Sequence, residues 1–386
     1  MSSTTKLNIL LVRPPYATGL TFAAHLVTEP LDLEYLAAVA AKLGHTWHIH
    51  DSMVPNKPFS SVLADFKPDV VAITGFYPAK DAMLATARTV KTWCQDTKVI
   101  IGGVHAELNP SDFFHTDIDA IVYSGGAHTF SRWLLSLSGG TCTGTWQNNP
   151  TITATEWIRN PPPDPTDINP SLLPLPDRSH FYKYRHLFTY LHYGSIALVQ
   201  SARGCPHSCS FCSCRLLNDG QFTPRPIEEV ADEIASLDCE KIWLVDDTFL
   251  AISSRAASLA AALERRNIHK RFIIYARASD ITRTSGIVND LCRLGVMDVI
   301  VGLEAVHDKC LADYKKNTTA NDNRQCVETL HAAGIACTGL FIIPPDATIV
   351  TFRNMNRWIA SVPLSAVAVS IFTPFPGTPD WERYES

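Results

Sequence analysis

The chain alternates short apolar runs with longer amphipathic segments. Over roughly the first third, this alternation predicts five buried strands separated by helices. The predicted strands are residues 7–12, 46–50, 70–75, 98–101 and 120–123, and the predicted helices are residues 32–43, 59–66, 80–94 and 129–137. Such a series indicates a doubly wound parallel sheet, whose ligands bind beyond the carboxyl ends of the strands.

Between residues 148 and 178 the periodicity fails and prolines accumulate, as in the run 160–165. Proline fixes the backbone angle φ and has no amide hydrogen to donate, so this composition is typical of a stiff, extended connector. We therefore expect a first domain over residues 1–147, a Pro-rich linker with an aromatic connector over 148–194, and a second domain over 195–386.

A second alternating series follows the connector. Its predicted strands are residues 196–200, 241–245, 271–275, 298–302, 336–343 and 366–372, and its predicted helices include 227–237, 253–266, 285–294, 321–333 and 349–360. Six strand–helix units in under two hundred residues fit a partial parallel barrel. Chemistry in such a barrel lies at the carboxyl ends of the strands.

Composition narrows the possible classes of protein. Hydrophobic residues make up 46% and charged residues 18% of 386 residues, which is typical of a globular protein and not of a disordered one. The net charge of -5 and the lack of a basic run argue against a nucleic-acid partner. The apolar run at residues 7–12 is too short for a signal peptide or a membrane span, so we expect a cytoplasmic protein without a membrane partner.

Eleven cysteines without an export signal do not predict a disulfide framework. Eight of them are scattered or lack a partner at ligand spacing, but Cys205, Cys209 and Cys212 lie together directly after a predicted strand. Three thiolates from one loop can hold three irons of a cubane cluster and leave the fourth iron without a protein ligand. A zinc site completed by His207 or Cys214, or chance clustering, is the alternative; the spacing differs from the paired gaps of zinc ribbons.

With the aromatic Phe211 before its last cysteine, this segment resembles the CxxxCxxC signature of radical S-adenosylmethionine (SAM) enzymes. The resemblance implies a [4Fe-4S] cluster whose open iron is chelated by SAM, and reductive cleavage of SAM to a 5'-deoxyadenosyl radical. It covers about residues 195–382. It includes four segments at or after the ends of predicted strands, which are residues 246–249, 275–277, 302–304 and 373–379.

The same resemblance implies roles for charged residues at the strand ends. It assigns Asp246 or Asp247 to the amino group of SAM, Arg277 to its carboxylate and Glu304 to its ribose. Carboxylates can accept hydrogen bonds from an ammonium or from hydroxyls, and an arginine can pair with a carboxylate. A salt bridge at the barrel rim or a helix cap is the structural alternative for each of them.

The first predicted domain resembles the cobalamin-binding domain that precedes the barrel in one large subclass of this family. The candidate cobalamin contacts are Tyr77, Gly102, Gly103, His105, Ser124, Gly125 and Gly126. Glycines at strand ends let a bulky macrocycle approach the backbone.

Two features depart from cobalamin-binding patterns. Ser52 and Met53 follow Asp51, so the signature that supplies a histidine to cobalt is absent, which implies cobalt without a protein histidine. The acidic run usual after the fifth strand is also missing. The alternative is a module that only packs on the barrel, with His105 as a satisfied histidine and Tyr77 as a core residue.

The predicted fold is thus α/β, with an N-terminal doubly wound Rossmann-like cobalamin-binding domain followed by a partial (β/α)6 radical SAM barrel. The resemblance implies C-methylation of an unactivated carbon in a small-molecule or natural-product substrate, with an external electron donor such as flavodoxin or ferredoxin. Radical cyclisation, ring rearrangement or oxidation without methyl transfer is the alternative reaction. The alternatives outside enzymes are a cobalamin- or cluster-responsive binding protein and a zinc-binding structural protein.

Overall fold

The computed structural model describes residues 5–15, 26–122, 125–139, 170–217 and 221–385. The chain divides into two compact units, Met1–Ser195 and Ile196–Ser386. The Pro-rich part of the predicted connector, up to residue 169, lies outside the described residues.

The first unit is built on a five-stranded parallel sheet, accompanied by a separate pair of short strands. Its strands are β1 (Asn8–Arg13), β2 (Leu26–Val27), β3 (Thr46–Asp51), β4 (Val70–Thr74), β5 (Lys98–Gly102), β6 (Ala120–Ile121) and β7 (Thr189–Tyr190). Its helices are α1 (Leu31–Lys42), α2 (Phe59–Phe66), α3 (Lys80–Trp93), α4 (Val104–Leu108), α5 (Gly126–Leu137) and α6 (Ser179–Tyr184). The sheet order is β3-β1-β4-β5-β6, and β2 pairs separately with β7 in antiparallel fashion.

Both faces of this sheet are covered, which explains why its strands are continuous apolar runs. Leu10 of β1 shares a buried cluster with Met83 of α3. Its neighbour Ile9, on the opposite face of the strand, belongs to a cluster with Leu33 of α1 and Trp133 of α5. Full burial of such a side chain stabilises the fold by roughly 1.5–3 kcal/mol. The predicted doubly wound sheet is therefore confirmed.

The aromatic stretch after residue 178 belongs to the first unit and is tied to it by buried charges. Asp51 receives two hydrogen bonds from Arg13, at 2.7 and 2.5 Å, and its Oδ2 lies 3.4 Å from Nε2 of His180 on α6. Arg178 lies just before α6 and pairs with Glu34 of α1. These contacts give Asp51 a structural role that the sequence pattern does not reveal.

The second unit is built on six parallel strands, accompanied by a separate pair of short strands. Its strands are β8 (Ala197–Val199), β9 (Ala202–Arg203), β10 (Thr223–Pro224), β11 (Lys241–Leu244), β12 (Arg271–Ala276), β13 (Val296–Glu304), β14 (Ala336–Ile343) and β15 (Ala366–Ile371). Its helices are α7 (Ile227–Ser236), α8 (Ser254–Arg265), α9 (Ala278–Arg283), α10 (Ile287–Leu294), α11 (Asp308–Asp313), α12 (Ala320–Ala332), α13 (Ile349–Ile359) and α14 (Pro379–Glu385).

The main sheet of this unit runs β15-β14-β13-β12-β11-β8. Every neighbouring pair in it is parallel, while the short strands β9 and β10 form an antiparallel pair of their own. Along the helical layer, α7 lies beside α8, α8 beside α10, and α9 beside α12. The predicted partial barrel of six strand–helix units is confirmed.

The elements missing from the predictions are short. Helices α4, α6, α9 and α11 have five or six residues each. An amphipathic period needs several turns to stand out, so helices of this length leave no readable pattern. Across the described ranges, the structure contains no helix with both the length and the hydropathy needed to span a membrane.

Candidate active site

The cysteine loop follows β8 at the carboxyl edge of the six-stranded sheet. The loop begins with the pairing of β9 and β10, and Gly204 stands directly before the first cysteine with φ of +78°. A Cβ at this position would overlap the carbonyl oxygen of Gln221. Glycine is therefore required here both for its backbone angle and for the close approach of the two segments.

Asp246, at the end of β11, fixes the entry to the loop. Its Oδ1 accepts hydrogen bonds from the backbone N–H groups of Ser201 at 2.6 Å and Ala202 at 2.9 Å, and its Oδ2 accepts one from the Ser201 hydroxyl at 2.5 Å. Arg255 donates to the Ser201 carbonyl at 2.9 Å. Burial raises the pKa of Asp246 to about 6. The structure thus places this carboxylate among loop-anchoring contacts.

The three predicted ligand thiols lie on one loop with different surroundings. Cys209 is buried and accepts a hydrogen bond from Nη1 of Arg277 at 3.1 Å, whereas Cys205 and Cys212 are half-buried. Burial raises the pKa of Cys205 to about 11. The neighbouring Cys214 thiol donates a hydrogen bond to Cys212 and is the largest cause that lowers the pKa of Cys212 to about 7.

The donor chemistry of this loop fits an iron–sulfur cluster. Soft thiolates are the ligands that such clusters prefer, and each thiolate of a cubane binds a different iron. Among the described residues, no three His, Cys, Asp or Glu side chains converge to hold a single metal ion. Cys205 interacts electrostatically with both Cys209 and Cys212, so the three thiols share one neighbourhood.

An aromatic layer packs against the loop. Phe211, between the second and third cysteines, contacts Tyr314 edge-on with 5.3 Å between ring centroids. Tyr314 in turn stacks on Phe372, which directly follows β15. The cysteine loop is therefore held by side chains from the end of α11 and from the end of the last strand.

Arg277 and Glu304 stand at the carboxyl ends of β12 and β13, as predicted, and both are buried. The Arg277 guanidinium donates to the Cys209 thiol and to the backbone carbonyl of Lys316. The Oε1 of Glu304 accepts a hydrogen bond from Nζ of Lys316 at 2.8 Å. The structure brings these predicted residues together around a lysine.

No pattern in the sequence points to Lys316. It follows the short helix α11 and not a strand, so the rule that places chemistry at strand ends does not point to it. The adjacent Lys315 is exposed, and two consecutive lysines in a sequence are typical of a solvent-exposed segment. Burial at 6% exposed surface distinguishes Lys316 only in the folded protein.

Asp247 differs from its neighbour Asp246. Its side chain is exposed, and it accepts hydrogen bonds from the backbone N–H of Gly204 and from the thiol of Cys214. It therefore lies beside the cysteine loop with surface still open to solvent.

The candidate residues of the first unit that the structure describes follow the carboxyl ends of its strands. Gly102 ends β5 and has room for a Cβ, whose nearest neighbour would be Val122 at 3.7 Å. Gly103, with φ of +94°, is tightly packed, because a Cβ there would meet Thr74 Oγ1 at 2.5 Å. Tyr77 follows β4 and is 63% exposed, so it is not a core tyrosine.

His105 is buried and already paired. Its Nε2 lies 2.9 Å from Oδ2 of Asp112, and its Nδ1 lies 3.5 Å from Nδ2 of Asn109. The ring contacts Tyr77 and Phe113 edge-on. Both nitrogens of this histidine therefore have partners within the protein.

The predicted glycine pair after the fifth strand opens helix α5. Gly125 has φ of +73° and precedes the helix, and Gly126 is its first residue. No side chain caps this helix start, so its first backbone N–H groups have no side-chain acceptor at the cap position. The neighbouring candidate, Ser124, lies outside the described residues.

Comparison with known proteins agrees with both units. Residues 199–359 match the Radical SAM superfamily model, and residues 18–134 match the B12 binding domain model. An uncharacterized methyltransferase of Pyrococcus horikoshii is 26% identical over 97% of this chain and 83% of its own length. The hopanoid C-3 methylase of Methylococcus capsulatus is 25% identical over 92% of this chain and 68% of its own length.

Among solved structures, the fold matches the radical SAM methyltransferase TsrM from Kitasatospora setae, determined with cobalamin and a [4Fe-4S] cluster bound. The TM-score is 0.78 at 19% identity, over 97% of this chain and 77% of that one. The solved structure agrees in fold, and the two family models show that this chain carries a B12-binding domain followed by a radical SAM domain.

Proposed function

We propose that this enzyme is a cobalamin-dependent methyltransferase that adds a methyl group to an unactivated carbon of a small-molecule substrate. The observation that carries the proposal is the meeting of the cysteine loop with Arg277 and Glu304 at one edge of the second unit. The match of the first unit to the B12 binding domain supports the same reaction. The names of the methylase and methyltransferase relatives support it further.

Cys205, Cys209 and Cys212 would hold the cluster. When bound, the [4Fe-4S] cluster supplies the electron that cleaves SAM to a 5'-deoxyadenosyl radical. The protein's own share is to exclude water and to hold the thiols, which the aromatic contact between Phe211 and Tyr314 supports. Flavodoxin or ferredoxin is the kind of electron donor that such a cluster needs.

Three residues would bind SAM. Both Asp246 oxygens already accept hydrogen bonds from the loop, so the exposed Asp247 is the better acceptor for the amino group of SAM. Arg277 would pair with the SAM carboxylate. Glu304 would accept from the ribose hydroxyls through Oε2, because Oε1 is engaged by Lys316 and no described residue donates to Oε2.

Cobalamin would bind at the carboxyl edge of the first unit's sheet. The aromatic side chains Phe76 and Tyr77 are exposed there at 60% and 63%, which suits contact with a large macrocycle. The uncapped start of α5 at Gly126 offers backbone N–H donors to the polar groups of the cofactor. His105 is committed to Asp112, which favours cobalt without a protein histidine. When bound, cobalamin supplies the methyl group that the substrate carbon receives.

The proposal is tested without knowledge of the substrate. The full chain is reconstituted anaerobically with iron, sulfide and cobalamin, then given a reductant and SAM with a labelled methyl group. We expect labelled methyl on cobalamin and cluster-dependent 5'-deoxyadenosine. The Cys209→Ala variant should make no 5'-deoxyadenosine, and Cys214→Ser should retain the cluster.

The outcomes separate the alternatives. Zinc in place of iron and sulfide would overturn the cluster assignment, and loss of metal in Cys214→Ser would point to a four-ligand site. Formation of 5'-deoxyadenosine with no label on cobalamin would instead favour radical cyclisation, rearrangement or oxidation without methyl transfer. Binding of both cofactors with no turnover of SAM would indicate a responsive binding protein.

A further inference from the structure

We infer that Lys316 is a positioning residue of the SAM site, which holds Glu304 and Arg277 in the orientations that SAM requires. The inference rests on the proposed function, since it concerns the same site. Its first support is a buried ion pair. Nζ of Lys316 lies 2.8 Å from Oε1 of Glu304, and the two side chains are only 7% and 9% exposed.

Lys316 also holds Arg277, through its backbone carbonyl and not through its side chain. The backbone carbonyl of Lys316 accepts a hydrogen bond from Nη2 of Arg277, while Nη1 of the same arginine reaches Cys209. One residue therefore contacts both side chains that would grip the carboxylate and the ribose of SAM. It does so from a loop, so the two strand ends are linked through a third element.

The backbone around Glu304 supports a role beyond packing. Glu304 has φ of +60°, which is uncommon for a residue with a Cβ, and the strand register shifts between Gly302 and Glu304. A Cβ on Gly302 would collide with the Glu304 carboxylate and lie 2.7 Å from Nζ of Lys316. Such backbone conformations persist where surrounding contacts hold them, and they cluster at ligand sites.

The pair leaves Glu304 able to bind a ligand. A carboxylate has two oxygens, and Lys316 takes only Oε1, so Oε2 keeps its acceptor capacity. In this arrangement the ammonium both neutralises the buried carboxylate and sets the direction in which Oε2 points. An uncharged residue at 316 would leave Glu304 buried without a partner and free to turn.

The positive charge of Lys316 also lies close to the cysteine loop. Nζ is 5.9 Å from the centroid of the Phe211 ring, next to Cys212. Reduction of a cluster adds negative charge, so a nearby cation favours the reduced state. Loss of this charge should therefore lower the midpoint potential, an effect that a purely structural role would not produce.

The test compares Lys316→Met and Lys316→Arg with the matched control Lys315→Met, which removes a lysine from the exposed neighbouring position. The full chain is reconstituted anaerobically, and iron and sulfide are counted. SAM binding is followed by the change it causes in the electron paramagnetic resonance signal of the reduced cluster. The midpoint potential is measured by redox titration.

We expect Lys316→Met to retain about four irons per chain. It should bind SAM at least about tenfold more weakly and have a more negative midpoint potential. Lys316→Arg should recover most of the potential and part of the SAM affinity, because it keeps the charge with a different shape. Lys315→Met should match the wild type in all three measurements.

The inference is overturned if Lys316→Met keeps its cluster and binds SAM as tightly as the wild type. It is also overturned if Lys316→Met loses the cluster while Lys316→Arg matches the wild type in both potential and SAM affinity, since Lys316 would then serve the fold alone. A wild-type protein that neither assembles the cluster nor binds SAM would contradict the proposed function instead. The two failures are thus distinguishable.

Discussion

Ser210 and Asp380 are 170 residues apart in the chain and hold each other by two hydrogen bonds. The Ser210 hydroxyl donates to Oδ2 of Asp380 at 2.9 Å, and the backbone N–H of Asp380 donates to the Ser210 carbonyl at 3.2 Å. Ser210 lies between Cys209 and Cys212, and Asp380 lies in the first turn of α14. The end of the described chain therefore clamps the cysteine loop.

We predict that Asp380→Ala destabilises this clamp. It removes a buried charged acceptor, at a cost of about 1.5–3 kcal/mol. The variant should lose iron faster on exposure to air and retain less iron through gel filtration. The control is Glu328→Ala, which breaks an exposed ion pair with Arg324 and should leave iron retention unchanged. Equal iron retention in Asp380→Ala and the wild type would contradict the clamp.

The Asp246 anchor predicts a specific pH dependence. Its pKa is raised from 3.8 to about 6 in the folded protein, so the folded state holds its proton more tightly than the unfolded chain does. The associated stability is fully present below the unfolded pKa and is lost as the pH rises through about 6, by on the order of 3 kcal/mol in total. The free energy of unfolding of the wild type, relative to Asp246→Asn, should fall between about pH 4 and pH 7.

This difference is measured by denaturant unfolding of the full chain across that pH range. Asp246→Asn cannot titrate at this position, so subtraction removes the contribution of every other group that is unaffected by the substitution. Parallel pH profiles for the two proteins would show that Asp246 does not carry the effect.

Gly204 offers a matched pair of substitutions. Gly204→Ala places a Cβ on the Gln221 carbonyl at a left-handed backbone position and should prevent the cysteine loop from closing. Gly334→Ala has a similar φ of +72° but nothing within 4 Å of the added Cβ, so it carries only the backbone cost of about 1 kcal/mol. Iron content after reconstitution should be lost in the first variant and kept in the second. Similar iron content in both would refute the close-approach argument.

We expect the exposed aromatic residues at the carboxyl edge of the first unit's sheet to help the protein retain cobalamin. Phe76→Ala and Tyr77→Ala should reduce the cobalamin that remains bound through gel filtration by several-fold. Because both side chains are largely exposed, the free energy of unfolding without cobalamin should change little. The control is Trp93→Ala, at the end of α3 and 38% exposed. A loss in the control alone would place the cobalamin site elsewhere.

The two parallel sheets and the spacing of the thiols can be predicted from local patterns along the chain. Strands buried on both faces must be apolar throughout, and long helices must repeat with their own period, so both leave a local signal. Thus β14 begins and ends where the pattern predicts, and α2 does too. The spacing of Cys205, Cys209 and Cys212 is likewise a local property of one loop.

The surroundings of those thiols depend instead on contacts between distant parts of the chain. The Lys316–Glu304 pair and the Ser210–Asp380 clamp join residues 12 and 170 positions apart, and no period links them. Asp246 and Asp247 look equivalent in the sequence, yet the Asp246 carboxylate accepts hydrogen bonds from the start of the cysteine loop, whereas the Asp247 side chain is exposed. Which charge is buried and paired depends on how strands, loops and the chain end meet, because burial makes a partner obligatory.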